Sequence, residues 1–215
     1  MAQPIDVFFR GDRPYIQGSL VLSQAARIAF DGFGDGFLVS AKFSQIITCG
    51  VEVAPSGEGS GEAFGEAQFR TVDGERHKLE FFACEAVEPP RRPDRGSTLT
   101  SFSDDGNLNA SAAFSIAPEL DDLLAAVVET TKKAHERLPA SVYDVWFTGF
   151  RGAHLPLNAD LIPQSGQIVI ENRVRRGDGG SYQTLFNARI ESAAEAHEFL
   201  LSFAYRVHTD ENEGH

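Results

Sequence analysis

Cysteine is scarce in this 215-residue chain, with Cys49 and Cys84 the only two. They form no CxxC pair and each sits in an apolar, strand-like run, so they read as two buried thiols rather than a disulfide framework or metal ligands. Basic residues are few as well: 19 Lys and Arg stand against 31 Asp and Glu, and the resulting charge of −12 repels a phosphate backbone. Charge therefore argues against nucleic acid as a partner. No apolar run approaches the ~18 to 20 residues of a membrane span. The first six residues lack a basic segment followed by an apolar one, so neither membrane nor export is expected and the chain reads as soluble and cytoplasmic. What is plentiful is phenylalanine, 17 residues, and glycine, 20, a mixture suited to many strands joined by tight turns.

Residues 88–96 gather Pro89, Pro90 and Pro93 with Arg91, Arg92 and Arg95, the composition of an extended, solvated connector. It divides the chain into a first half, 1–88, a linker, 89–97, and a second half, 98–208, followed by a polar tail, 209–215, expected to be disordered. Residues 55–62 are too rich in glycine for regular structure and predict a long loop.

In the first half a short strand is expected over 5–9 and a helix over 18–30. Ser19, Ser23 and Arg27 recur every fourth residue as one polar stripe, and nearly every other side chain is apolar, as in a central helix. Strands are expected within 37–53 and over 63–72 and 79–86, the last two joined by Asp73-Gly74. The second half repeats the order. Leu108, Ala110, Ala112, Phe114 and Ile116 alternate as a strand. Leu120, Leu123, Leu124, Val127 and Val128 mark a helix over 118–138 that opens at Pro118. Strands follow over 142–150, 167–174, 182–190 and 199–207. The expected fold class is α+β, with two antiparallel sheets each wrapped around a central helix and joined edge to edge. A single sandwich with both helices on one face satisfies the same element order.

The stretch 8–25 resembles the 3-hydroxyacyl-ACP dehydratases of the hotdog superfamily, which carry Phe-Phe-x-Gly-His and then a proline-bounded loop with a glycine opening the central helix. Phe8, Phe9 and Gly11 match, Pro14 matches the first proline and Gly18 the helix-opening glycine. Residues 42–53 look like the family's strand that ends in Val-x-Pro-Gly-Asp, so the likeness covers 5–86. Residues 117–124 resemble the helix of polyketide synthase dehydratase domains, in which His-Pro-x-Leu-Leu-Asp places an acid; Pro118 and Asp122 match and Ala117 replaces the histidine.

The resemblance implies a double hotdog that holds a 3-hydroxyacyl group, delivered as a thioester of an acyl carrier protein or of coenzyme A, in fatty acid or polyketide assembly. It also departs from the family at the chemistry. Asp12 stands at the histidine position, and Ser23, or Gln24 one register on, stands at the helix glutamate position. With the loop of one half facing the helix of the other, Asp12 and Asp122 become the candidate catalytic pair, two carboxylates whose proximity would drive their pKa values apart. Arg13, Gly18, Ser23, Gln24 and His154 become candidate substrate-binding residues. Each acid has a plainer reading. Asp121 and Asp122 fall in the first turn of a helix, where an acid is stabilised by about 0.3 to 1 kcal/mol, and Asp12 after glycine suits a turn.

His154 is the histidine of a segment bounded by Gly152 and Pro156, expected to be a loop. His77, His135, His197 and His208 show no ligand spacing, so no metal and no cofactor is expected. Gly32, Gly34 and Gly36 precede no helix and are flanked by acids, which argues against a phosphate cradle. Two further functions fit the same resemblance: a non-catalytic acyl-binding subunit with a degenerate site, and a hotdog thioesterase. The expected partners are the acyl carrier and, in a homo- or hetero-oligomer, another hotdog or a ketosynthase subunit.

Overall fold

The computed structural model describes residues 2–84, 88–93, 96–138, 142–178 and 181–207. The expected disordered tail, 209–215, His208 and the end of the strand expected over 79–86 lie outside the described residues. In chain order the elements are β1 (Gln3–Ile5), β2 (Phe9–Arg10), α1 (Gly18–Phe33), β3 (Gly36–Phe43), β4 (Gly50–Pro55), β5 (Gly65–Thr71), β6 (Arg76–Cys84) and β7 (Arg91–Arg92). The chain continues through β8 (Leu99–Asp104), β9 (Ala110–Ser115), α2 (Leu120–Glu136), β10 (Val142–Pro156), β11 (Ser165–Asp178), β12 (Ser181–Glu191) and β13 (Ala196–Val207).

Two sheets joined edge to edge were the expectation; among the described residues they form one continuous antiparallel sheet of 11 strands, β1-β4-β6-β5-β3-β10-β13-β12-β11-β9-β8. The junction is β3 against β10, with Lys42 opposite Gly149 and Phe37 opposite Pro156, so the edges that two separate sheets would expose are paired with each other. Gly149 has φ 144, and a Cβ there would stand 2.1 Å from the Ala41 carbonyl oxygen, so this crossing requires glycine. The two sides of the junction are not identical copies. β3 pairs with β5, the second strand after it, whereas β10 pairs with β13, the third.

α1 packs on β3 and β5, α2 packs on β8 to β11, and the two helices touch each other. Leu20, Val21 and Leu22 of α1 are at most 3% exposed, a burial worth about 1.5 to 3 kcal/mol for each side chain. Ser19 and Ser23, expected on a polar stripe, are buried too, and only Arg27 of that stripe reaches solvent. α1 ends where Gly34 turns left-handed and its N–H bonds the Phe30 carbonyl at 2.8 Å. In α2, Leu120, Leu123, Leu124 and Val127 face the core as their spacing predicts, while the buried Thr130 and Thr131 hydroxyls donate back to the carbonyls of Ala126 and Val127.

Three expectations need correction, and one strand was missed. The strand over 5–9 is split into β1 and β2, because Val7 and Phe8 turn into the core between them. β8 was not legible, since only Leu99 and Phe102 of its six residues are even half-buried. His154 lies not in a loop but on β10, which continues past Gly149 and Gly152 to Pro156. Cys49 and Cys84 are free and half-buried rather than core residues. Among the described residues no helix is long and apolar enough to cross a membrane.

Candidate functional site

A cavity of about 360 Å3 opens between the start of α1, the middle of α2 and the ends of β3 and β10. Both sides of the sheet junction contribute to it. Gln17, Gly18, Ser19 and Phe43 come from the first; Ala125, Val128, Lys132, Trp146 and Phe147 come from the second. Gly18 lets α1 approach the rings closely, since a Cβ at that position would stand 2.9 Å from Phe43 and 3.2 Å from Phe147. Arg13, Tyr15, Glu129, Lys133 and Glu136 supply the polar part of the lining. The Lys132 ammonium donates to the Tyr15 hydroxyl at 3.2 Å, tying α2 to the loop before α1. Glu129 is occupied by Ser97 and Thr98, accepting from both hydroxyls and from the Thr98 N–H.

Outside the lining, but reached through Ser19, lies a buried ion pair. The Arg10 guanidinium donates to the Asp121 carboxylate at 2.5 Å, with their side chains 8% and 6% exposed. Burial pushes the Asp121 carboxyl above its usual range, although Arg10 and a hydrogen bond from the Ser19 hydroxyl pull it back down. Ser19 lines the cavity, so it connects the cavity to the ion pair. Arg10 Nε finds no hydrogen-bond partner among the described residues. The loop that carries Arg10 is held by the connector. Arg91 donates to the carbonyls of Gly11 and Arg13, Arg92 pairs with Asp6 at 3.0 Å, and β7 runs parallel to β2.

The sequence-predicted residues are distributed around this arrangement. Asp12 is exposed in the turn after Gly11, and the Arg13 N–H closes that turn on the Arg10 carbonyl at 3.2 Å. Arg13 and Gly18 line the cavity. Asp122 is half-buried in the first turn of α2, three and seven residues before Ala125 and Glu129, so helical spacing puts it on the cavity-facing side. Ser23 is buried and Gln24 half-buried further along α1, and neither is among the lining residues. His154 is exposed, with its ring edge-on to Phe37 at 6.0 Å, away from the lining.

Sequence reasoning missed Arg10, Tyr15, Phe43, Lys132 and Phe147. For Asp121 a signal was present, because it precedes Leu124 and Val128 by three and seven residues and so falls within the apolar stripe of α2. No spacing rule joins Tyr15 to Lys132, which are 117 positions apart. Among the described residues no group of three or more His, Cys, Asp or Glu side chains is arranged to hold a metal ion.

One sheet running past a long helix on each side of a junction, with a cavity between them, defines the chain as a hotdog-fold protein. Solved structures of that fold align along nearly its whole length. A hotdog protein of unknown function from Alicyclobacillus acidocaldarius is 10% identical over 97% of this chain and 92% of its own, with a TM-score of 0.52. A dehydratase from a type I polyketide synthase is 12% identical over 94% of this chain and 87% of its own, also with a TM-score of 0.52. The tesB protein of Mycobacterium avium subspecies paratuberculosis is 14% identical over 93% of this chain and 91% of its own, with a TM-score of 0.51. No family model matches the sequence, and no curated protein matches it.

Proposed function

We propose that this protein binds a 3-hydroxyacyl group in the cavity at the sheet junction, delivered as a thioester of an acyl carrier protein or coenzyme A, and dehydrates it. The observation that carries this reading is the cavity itself: built from both sides of the junction, with apolar rings on one part of its lining and charged side chains on another, and beside the glycine that opens α1. Asp122, half-buried on the cavity-facing side of α2, is assigned as the proton carrier, and Asp12 as the second carboxylate. Arg13 and Gly18 border the thioester, whereas Ser23, Gln24 and His154, the other candidates of the sequence, take no contact with it in this reading. The reading treats 1–88 and 98–208 as two hotdog halves joined by 89–97, in a cytoplasmic protein whose partners are the acyl carrier and a second hotdog or ketosynthase subunit.

A second reading, binding without dehydration, is favoured by Arg10. Its guanidinium occupies the buried place beside the helix acid and offers hydrogen-bond donors but no acceptor, so it cannot remove an α-proton. Among the described residues no histidine lines the cavity.

Mass spectrometry of 3-hydroxyacyl-ACP incubated with the protein separates the outcomes. Loss of water supports dehydration, loss of the acyl group supports hydrolysis, and an unchanged but bound thioester supports the second reading. For a dehydratase, Asp122→Asn keeps the shape of the helix start but removes the proton carrier, and turnover is expected to fall by roughly 10²- to 10⁴-fold. Wild-type turnover by that variant would exclude Asp122 from catalysis.

A further inference from the structure

We infer that Phe43 and Phe147 form the end wall of the cavity and restrict its occupant to short acyl chains. The inference rests on the acyl-thioester reading above and extends it to the class of acyl group.

The cavity is graded from one end to the other. Its outer end carries Gln45, Ile46 and Glu136, all exposed, with Ile46 at 45%. Its inner lining includes Ile16 at 2%, Ile47 at 5% and Phe43 at 7% exposure. An acyl chain entering from the polar end therefore meets rings last. Phe43 comes from β3 and Phe147 from β10, and they meet edge to face with centroids 5.9 Å apart across the strand pair that joins the two sides of the sheet. Neither ring has free space behind it. Phe81 stacks on Phe43 at 5.7 Å and Phe203 packs on Phe147 at 5.7 Å, both fully buried. Gly18 holds the helix against the front of the same two rings. The wall is therefore clamped from both sides, and a chain cannot lengthen past it by a rotamer change alone. A volume of about 360 Å3 lies near the lower bound for small-molecule sites, consistent with a short acyl chain beside a pantetheine arm.

Titration calorimetry with 3-hydroxybutyryl-CoA and 3-hydroxydodecanoyl-CoA tests this on the wild type, Phe147→Ala, Phe43→Ala and the milder Phe147→Leu, whose folding is the more secure. Each methylene admitted to apolar surroundings raises affinity about fourfold. The wild type is expected to favour the butyryl thioester by at least about tenfold, and each wall variant to shift the long-to-short affinity ratio by about tenfold or more towards the long chain. Equal binding of both thioesters by the wild type, or an unchanged ratio in Phe147→Leu and the folded Ala variants, overturns the wall while leaving acyl binding intact. Binding of neither thioester by any of the proteins overturns the acyl-thioester reading and the wall with it.

Discussion

The Arg10–Asp121 pair joins the loop before α1 to the start of α2. Because desolvation holds the Asp121 carboxyl above its usual range, the buried charge is costly in itself and tolerable only while Arg10 faces it. Arg10→Met is expected to lower stability by about 3 to 5 kcal/mol, whereas Arg10→Met combined with Asp121→Leu should recover most of that loss. Urea unfolding of the single and double variants checks this, and additive losses in the double variant would contradict it. The sequence made the acids visible but not their partners. Asp122 was singled out by its match to a family position, while the apolar stripe already placed Asp121 inward; Arg10, between Phe9 and Gly11, carried no sign of burial.

Among the elements, α2 was the most legible and it carries the most buried polarity. Its C-terminal turn inserts His135 among Phe186, Phe203 and Tyr205, at centroid distances of 5.2 to 5.8 Å. The neutral ring donates from Nδ1 to the Thr131 carbonyl at 2.8 Å and accepts at Nε2 from the Thr184 hydroxyl at 3.0 Å. Burial lowers its pKa from 6.5 to about 4. The unfolded chain then takes up a proton at a pH where the folded protein does not. The stabilisation from this group is complete above about pH 6.5 and is lost as the pH falls towards 4. Between pH 7 and 4.5 the wild type should lose roughly 2 to 3 kcal/mol more stability than His135→Leu. Equal pH dependence of the two proteins in denaturant titrations would contradict a neutral buried ring. Periodicity revealed α2 because Leu120, Leu123, Leu124 and Val127 sit on one face. The same test missed β8, an edge strand with little apolar content, and ended β10 too early at the glycines that let it bend.

At the scale of the whole molecule the deciding feature is the pairing of β3 with β10, which turns two runs of strands into one sheet and brings α1, α2 and the cavity together. The order of strands and helices could be read from alternation and turn residues. That the sheets join edge to edge was expected, but which strands meet and the unequal strand order on the two sides could not be read, since β3 and β10 pair across more than a hundred positions and Arg151 of β10 pairs with Leu200 of β13. The Phe8-Phe9-x-Gly11 loop and the Gly18 helix start led to the hotdog fold, yet much of the cavity lining comes from outside that stretch, from α2 and from Phe43, Trp146 and Phe147 on β3 and β10. A crystal structure of the protein with a hydrolysis-resistant 3-hydroxybutyryl pantetheine amide tests the central claim most directly. The acyl chain is expected beside Val128 with its end against Phe43 and Phe147, and the pantetheine arm leaving past Tyr15 and Lys132; an empty cavity at saturating ligand, or the acyl chain bound elsewhere, would contradict the reading.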